Sequence, residues 1–226
     1  MNSYTFWQRC RPRGDFRIGE MMEYFDLMKE AFRFPELYDK NSKPVEIAED
    51  VLQKAFQKKI DKQFPGIGVN LDFFSIPPRN RDRNTVRFEI ATGTHPDEVF
   101  IDSYDISIGE ARKVPDVEYF EKSIEIFKPF EAYLSEFKNE SLLNAYDRQQ
   151  ALPKFNKPAI IRGFHYLDEG MARSIGGIDY CLKAPAWNVK RFCKGVLIEL
   201  VPGLFDTSNP EHLGVQEETM AYFDML

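Results

Sequence analysis

The chain has 226 residues, 43% of them hydrophobic and 29% charged, with a formal net charge of −6 at neutral pH. That length and balance suit a globular protein with a buried core and exclude a disordered or fibrous chain. The acidic balance disfavours a phosphate-backbone ligand, and no segment approaches the roughly 20 apolar residues that a membrane-spanning helix needs.

The first predicted element is a strand over "SYTFWQR", residues 3–9, which alternates in size and polarity. Gly14, Asp15 and Gly19 mark a turn. From Ile18 the apolar residues Met21, Met22, Phe25, Met28 and Phe32 recur every three or four positions and predict a helix that Pro35 ends. A second helix follows Pro44, on the face Ile47, Val51, Leu52, Ala55 and Phe56, and closes at "FPGIG". Three alternating runs then predict an antiparallel meander with one wet face: residues 67–75, 84–93 and 98–109. In the middle run Val86, Phe88 and Ile90 share one side, with Arg87 and Glu89 on the other.

"DVEYFEKSIEIFKPFEAYLSEF", residues 116–137, returns to helical spacing at Phe120, Ile124, Phe127, Leu134 and Phe137, with Pro129 as a kink or a new start. A helical turn and a linker are expected over the following twenty residues. "AIIRGFHYLD" (159–168) and "KGVLIELVPG" (194–203) predict strands. "NPEHLGVQEETMAYF" (209–223) predicts a last helix, capped by Asn209 with Pro210 in its first turn. The grouped order predicts an α+β fold: a mainly antiparallel sheet with helices packed on one face. The reading is a single domain over residues 1–226, with a sub-division, if any, near 150–158. Aromatic residues reach 14%, so the core is expected to be built of rings.

Tests for chemistry find no assembled motif. Cys10, Cys181 and Cys193 are too few and too scattered for a disulfide framework, which points to a reducing compartment. The first sixteen residues hold no apolar run long enough for a signal peptide, so a cytoplasmic protein is expected. His95, His165 and His212 lie far apart, with no CxxC or HExxH, so no metal site is expected. "GIG" at 66–68 and "GG" at 176–177 lack the rest of a phosphate cradle, and no cofactor is expected. The arginines at 79, 81, 83 and 87 read as the solvated rim of a hairpin.

"RSIGGIDYCLKAPAW", residues 173–187, holds the best candidate nucleophile, Ser174. A hydrolase or transferase site there would draw on Ser174, Asp179 and His212. The flanking pattern is wrong for a nucleophile elbow, because the preceding strand ends near Asp168 and residues 177–182 look extended. The preferred reading is architectural: Gly176 and Gly177 permit a bend with positive φ, and Tyr180, Leu182 and Trp187 anchor the loop on the core. No catalytic residue is therefore assigned.

Charge patterning is more informative. Residues 97–125 carry nine acids (Asp97, Glu98, Asp102, Asp105, Glu110, Asp116, Glu118, Glu121 and Glu125) against three bases. Residues 206–224 carry five acids, Glu217 and Glu218 among them, and no Lys or Arg. Asp102 and Asp105 fall on opposite faces of a strand, while Glu121 and Glu125 share a helical face. Such patches are expected to meet a basic protein, with Phe100, Tyr104, Tyr119 and Tyr222 as anchoring rings. The acids expected to face it are Asp97, Glu98, Asp102, Asp105, Glu118, Glu121, Glu125, Glu217 and Glu218. A general interaction or scaffold module is a third reading of the same surface.

The C-terminal third, from "FHYLDEG" at 164 through "GVLIEL" (195–200) and "LFDTSNPEHL" (204–213) to the closing helix, resembles the immunity proteins of bacterial polymorphic toxin systems. The resemblance is to the immunity-protein-52 family in particular. It implies an α+β cytoplasmic protein without catalysis, associated with type VI secretion. Its partner would be a cognate toxin domain, a restriction-endonuclease-like nuclease, whose active site it blocks. Nucleic acid and membrane are not expected as partners.

Overall fold

The computed structural model describes residues 3–13, 15–60, 69–78, 85–92, 102–110, 112–136 and 157–225. The described strands are β1 (Tyr4–Cys10), β2 (Leu37–Tyr38), β3 (Pro44–Val45), β4 (Val69–Phe74), β5 (Val86–Thr92), β6 (Asp102–Ile108), β7 (Glu131–Glu136), β8 (Phe164–Asp168), β9 (Asn188–Phe192) and β10 (Gly195–Glu199). The described helices are α1 (Ile18–Phe32), α2 (Glu49–Ile60), α3 (Val117–Phe127), α4 (Glu169–Ser174), α5 (Ile178–Cys181) and α6 (Pro210–Tyr222). The expected α+β class, an antiparallel sheet with helices packed against it, is what the chain forms. Two compact units divide it: residues 8–128 in one, residues 2–7 and 129–226 in the other.

The first unit orders its strands β3-β2-β4-β5-β6. The meander is antiparallel, with Phe73 opposite Phe88 and Phe88 opposite Ile106, while Ile90 faces Tyr104. Alternation puts Val86, Phe88 and Ile90 on one side, all nearly inaccessible to water. Rings from α1 and α3 cover that side. Phe25 meets Phe73 and Phe88 edge-on at 5.4 and 5.7 Å, Tyr24 meets Phe127 at 5.0 Å, and Phe127 stacks on Tyr104 at 4.0 Å. Aromatic pairs of this kind add about 0.5–1.5 kcal/mol each beyond the area they bury. Tyr24 was not on the predicted helical face, because a tyrosine between Met21 and Phe25 is silent in an apolar count. The expected wet face holds at β5, where half-exposed Arg87 pairs with Asp72 and Glu89. It fails at β6, where Ser103 and Asp105 on that side are buried, and Asp102 is buried on the other.

The predicted helix over 116–137 is two elements. Lys128 adopts left-handed backbone (φ 48°) and its N–H caps Ile124 O, and Pro129 offers no N–H to carry a helix onward. Residues 131–136 then run as β7, buried throughout and paired with β8 so that Tyr133 faces His165. A strand buried on both sides shows no alternation, and the seven-residue step from Phe127 to Leu134 imitates a helical repeat. Phe137 and the expected turn and linker up to residue 156 lie outside the described residues.

In the second unit β10 is central, paired with β8 on one side and β9 on the other within the order β7-β8-β10-β9. The β8 prediction began five residues early, and β9 was not predicted. Residues 178–181, expected to be extended, form α5. The last helix matches its prediction: the Asn209 side chain accepts a hydrogen bond from the Glu211 N–H, with Pro210 at the first position. Gly195 opens β10 where β8 comes closest, and a Cβ there would stand 2.0 Å from Leu167 O. Gly195→Ala is therefore expected to cost about 2 kcal/mol or more in urea unfolding, and an unchanged midpoint would count against this close approach.

Candidate functional site

Residues 173–187 form a scaffold. Ser174 Oγ donates to Met171 O at 2.7 Å within α4. Asp179 pairs with Arg191 at the surface. His212 Nδ1 accepts from the Asp206 N–H at 3.0 Å, and its ring lies 5.5 Å from that of Phe205. The three residues of the candidate catalytic set thus each hold a different partner. Gly176 (φ 114°) and Gly177 (φ 90°) make the left-handed bend, and a Cβ on Gly176 would strike the Tyr180 ring at 2.4 Å. Tyr180 stacks on Tyr222 at 4.5 Å, and each hydroxyl donates to the other residue's carbonyl, at 2.7 and 3.1 Å. Trp187 corrects the expectation of an anchor: it is 66% exposed. The preceding turn is held by backbone bonds, Ala184 N–H to Cys181 O at 3.0 Å and Ala186 N–H to Ala184 O at 2.8 Å.

The predicted acids separate into three groups. Asp97 and Glu98 lie outside the described residues, as does Phe100. Asp102 and Asp105 are 0% and 6% exposed, which corrects their placement on a partner-facing surface. Asp102 Oδ2 accepts from the Arg13 N–H at 3.1 Å and lies 3.8 Å from Arg17 Nε. Arg17 also donates to Phe127 O and Arg11 O, at 3.2 and 3.0 Å. Asp105 accepts from the Gln8 N–H and from Ser103 Oγ. Its burial pushes its carboxyl up to about 7, with the Ser103 and Gln8 bonds pulling the other way. Tyr104, expected as an interface ring, is fully buried.

Glu118, Glu125, Glu217 and Glu218 are exposed, and Glu121 is half-buried. Glu118 pairs with Lys122 along α3 at 3.2 Å. Helix α1 extends this acidic surface, which the predicted set did not include. Its outward residues Glu23, Asp26 and Glu30 alternate with the buried Met21, Phe25 and Met28, a spacing that could have disclosed them. Tyr119 Oη donates to Glu30 Oε1 at 3.2 Å and joins the end of α1 to the start of α3. On α6 the acids stand beside exposed apolar side chains. The exposed large hydrophobics among the described residues are Tyr180 (39%), Trp187 (66%), Leu204 (40%) and Leu213 (37%), all in the second unit.

Polar groups inside the second unit were invisible to motif reading. His165 Nδ1 accepts from the Arg162 N–H at 3.2 Å, so the hydrogen sits on Nε2 and is donated to Glu131 Oε1 at 3.0 Å. The Arg162 guanidinium lies 3.6 Å from the centre of the Tyr133 ring. Glu136 accepts from the N–H and the hydroxyl of Thr207, at 3.0 and 2.7 Å. Glu131, Tyr133, Glu136, Arg162 and His165 are buried and Thr207 is partly so, and their bonds fix strands and loops in place.

Among the described residues no three His, Cys, Asp or Glu side chains are grouped to hold a metal ion. Burial pushes the Cys10 thiol up to about 12 and the Cys181 thiol up to about 11, so both stay protonated and weakly nucleophilic at neutral pH. A cleft of about 380 Å³ lies beside the start of α1, lined by Asp15, Phe16, Glu20 and Glu49, and it takes in none of Ser174, Asp179 or His212. Among the described residues no helix is long and apolar enough to cross a membrane.

No family model matches the chain, and no curated protein matches it. Among solved structures it is similar to the T6SS protein PA0821 of Pseudomonas aeruginosa. The TM-score is 0.61 and the identity 11%, over 99% of this chain and 72% of that one. At that identity the likeness shows a shared fold.

Asp105 gives a pH prediction. Its folded value near 7 lies above its ordinary 3.8, so between those values the folded state binds more protons than the unfolded chain. The associated stability is fully present below pH 3.8 and is lost as pH rises through about 7. Asp105→Asn, which keeps an acceptor for Gln8, is expected to flatten this loss by up to about 1.4 kcal/mol per pH unit. Urea unfolding at a series of pH values measures it, and identical slopes for both proteins would refute the assignment.

Proposed function

We propose that this chain is an immunity-type protein, which binds a cognate bacterial toxin domain in the cytoplasm and occludes its active site. The toxin is a nuclease. The observation that carries the reading is the charge of the outer helix surfaces. Helices α1 and α3 together bear seven acids, Glu20, Glu23, Asp26, Glu30, Glu118, Glu121 and Glu125, against two lysines, Lys29 and Lys122. Helix α6 bears Glu211, Glu217 and Glu218 and no base. A nuclease cleft is lined with cations that hold phosphates, and an acidic surface competes for those cations and accelerates the encounter. The fold shared with a T6SS protein supports a secretion-associated setting. No observation favours the hydrolase or transferase reading, since Ser174, Asp179 and His212 have separate partners.

Co-expression with the product of a neighbouring toxin gene, followed by co-purification and a nuclease assay, tests the proposal. The expected result is a stoichiometric complex without nuclease activity. Stopped-flow association is expected to slow on the order of tenfold or more between low and high salt. A rate indifferent to ionic strength would remove the electrostatic basis of the reading.

A further inference from the structure

The acids occur on several helices, but exposed large apolar side chains accompany them only in the second unit among the described residues. Trp187, Leu204 and Leu213 sit on three segments that are tied together. The Trp187 N–H donates to Leu200 O at 3.1 Å, four residues before Leu204. The Phe205 ring, next to Leu204, lies 5.5 Å from that of His212, next to Leu213. Thr219 Oγ1 of α6 donates to Pro185 O at 2.9 Å, two residues before Trp187. Around Leu204 and Leu213, from Gly195 to Leu226, the sequence holds six acids and no Lys or Arg, whereas the segment of Trp187 carries Lys183, Lys190 and Arg191, so the acidic rim lies on the α6 side of the face. On α6 the exposed positions are Pro210, Glu211, Leu213, Gly214, Glu217, Glu218 and Ala221. At Gly214 nothing lies within 4 Å of where a Cβ would be, so another molecule can approach the helix backbone there.

We infer that this face, with Trp187, Leu204 and Leu213 as anchors and Glu211, Glu217 and Glu218 as its charged rim, is the docking surface for a cationic protein partner. The inference rests on the proposed function and selects, among the acidic surfaces, the one that binds. Apolar anchors within a charged rim are the arrangement in which a few residues carry most of the affinity, while charges set the rate of encounter. Nucleic acid and anionic lipid carry the same sign as the rim and are repelled. A second copy would bring this acidic patch against an identical one, because a twofold contact uses the same patch on both sides.

The test uses the full chain with Trp7→Phe, which leaves Trp187 as its one tryptophan, and two probes: an amphipathic Lys–Leu peptide and a purified cationic nuclease toxin domain. Binding of the peptide is expected to shift Trp187 emission to the blue, with an affinity that falls as salt is raised. Glu217→Lys with Glu218→Lys is expected to weaken both probes on the order of tenfold or more, mainly through the association rate, and Leu213→Asp mainly through the dissociation rate. Glu49→Lys with Asp50→Lys, on the exposed start of α2, is the control and is expected to change affinity less than threefold (about 0.6 kcal/mol). No emission shift, or equal losses from the α2 and α6 variants, overturns the inference. Retention of the toxin domain by the α6 variants overturns it while leaving the proposed function standing. Peptide binding without any toxin binding supports the surface and counts against the toxin. Self-association abolished by Leu213→Asp, with no peptide bound, assigns the face to a second copy and overturns the inference.

Discussion

A carboxylate withdrawn from water must be met by donors, and among the described residues four of them, Asp102, Asp105, Glu131 and Glu136, are buried. Each is met by at least one group distant in sequence: Asp102 by Arg13 and Arg17, Asp105 by Gln8 (with Ser103 beside it on the same strand), Glu131 by His165, Glu136 by Thr207. These bonds fix the start of α1 against β6 in the first unit, and a loop against β7 in the second. They specify position more than they add stability, because an unmet carboxylate costs far more than a met one returns. Helix α1 can present its acids outward because Arg17, at its left-handed start, is held by backbone carbonyls and by Asp102.

That constraint explains which sequence signals were legible. Helices α1 and α2 and the strands β4 and β5 could be read, since each has one dry and one wet side and so a clear period. The caps of α6 were readable from Asn209 and Pro210 alone. β7 was not, because it is buried on both sides and then shows no alternation. Short α4 and α5 were hidden behind glycines, whose bend was foreseen but whose flanking turns were too brief for a repeat. Counting acids identified the character of the surface but not its members: Asp102 and Asp105 are chemically the same as Glu118 and Glu217 in sequence, and only pairing across strands takes them inside.

The surface that remains has two characters. In the first unit the acids of α1 and α3 stand over a ring-filled core, with the apolar side chains turned inward. In the second unit, acids and exposed apolar groups coincide on and beside α6. Long-range attraction needs only the former. Tight contact also needs area that leaves water, which among the described residues only the latter offers.

The paired tyrosines add a mechanical property. Because each hydroxyl of Tyr180 and Tyr222 closes on the other residue's backbone, α5 and the end of α6 are geared together. Gly176 lies directly beneath the Tyr180 ring, where a Cβ would stand 2.4 Å from it, so any side chain at that bend would have to displace the ring that joins α5 to the end of α6.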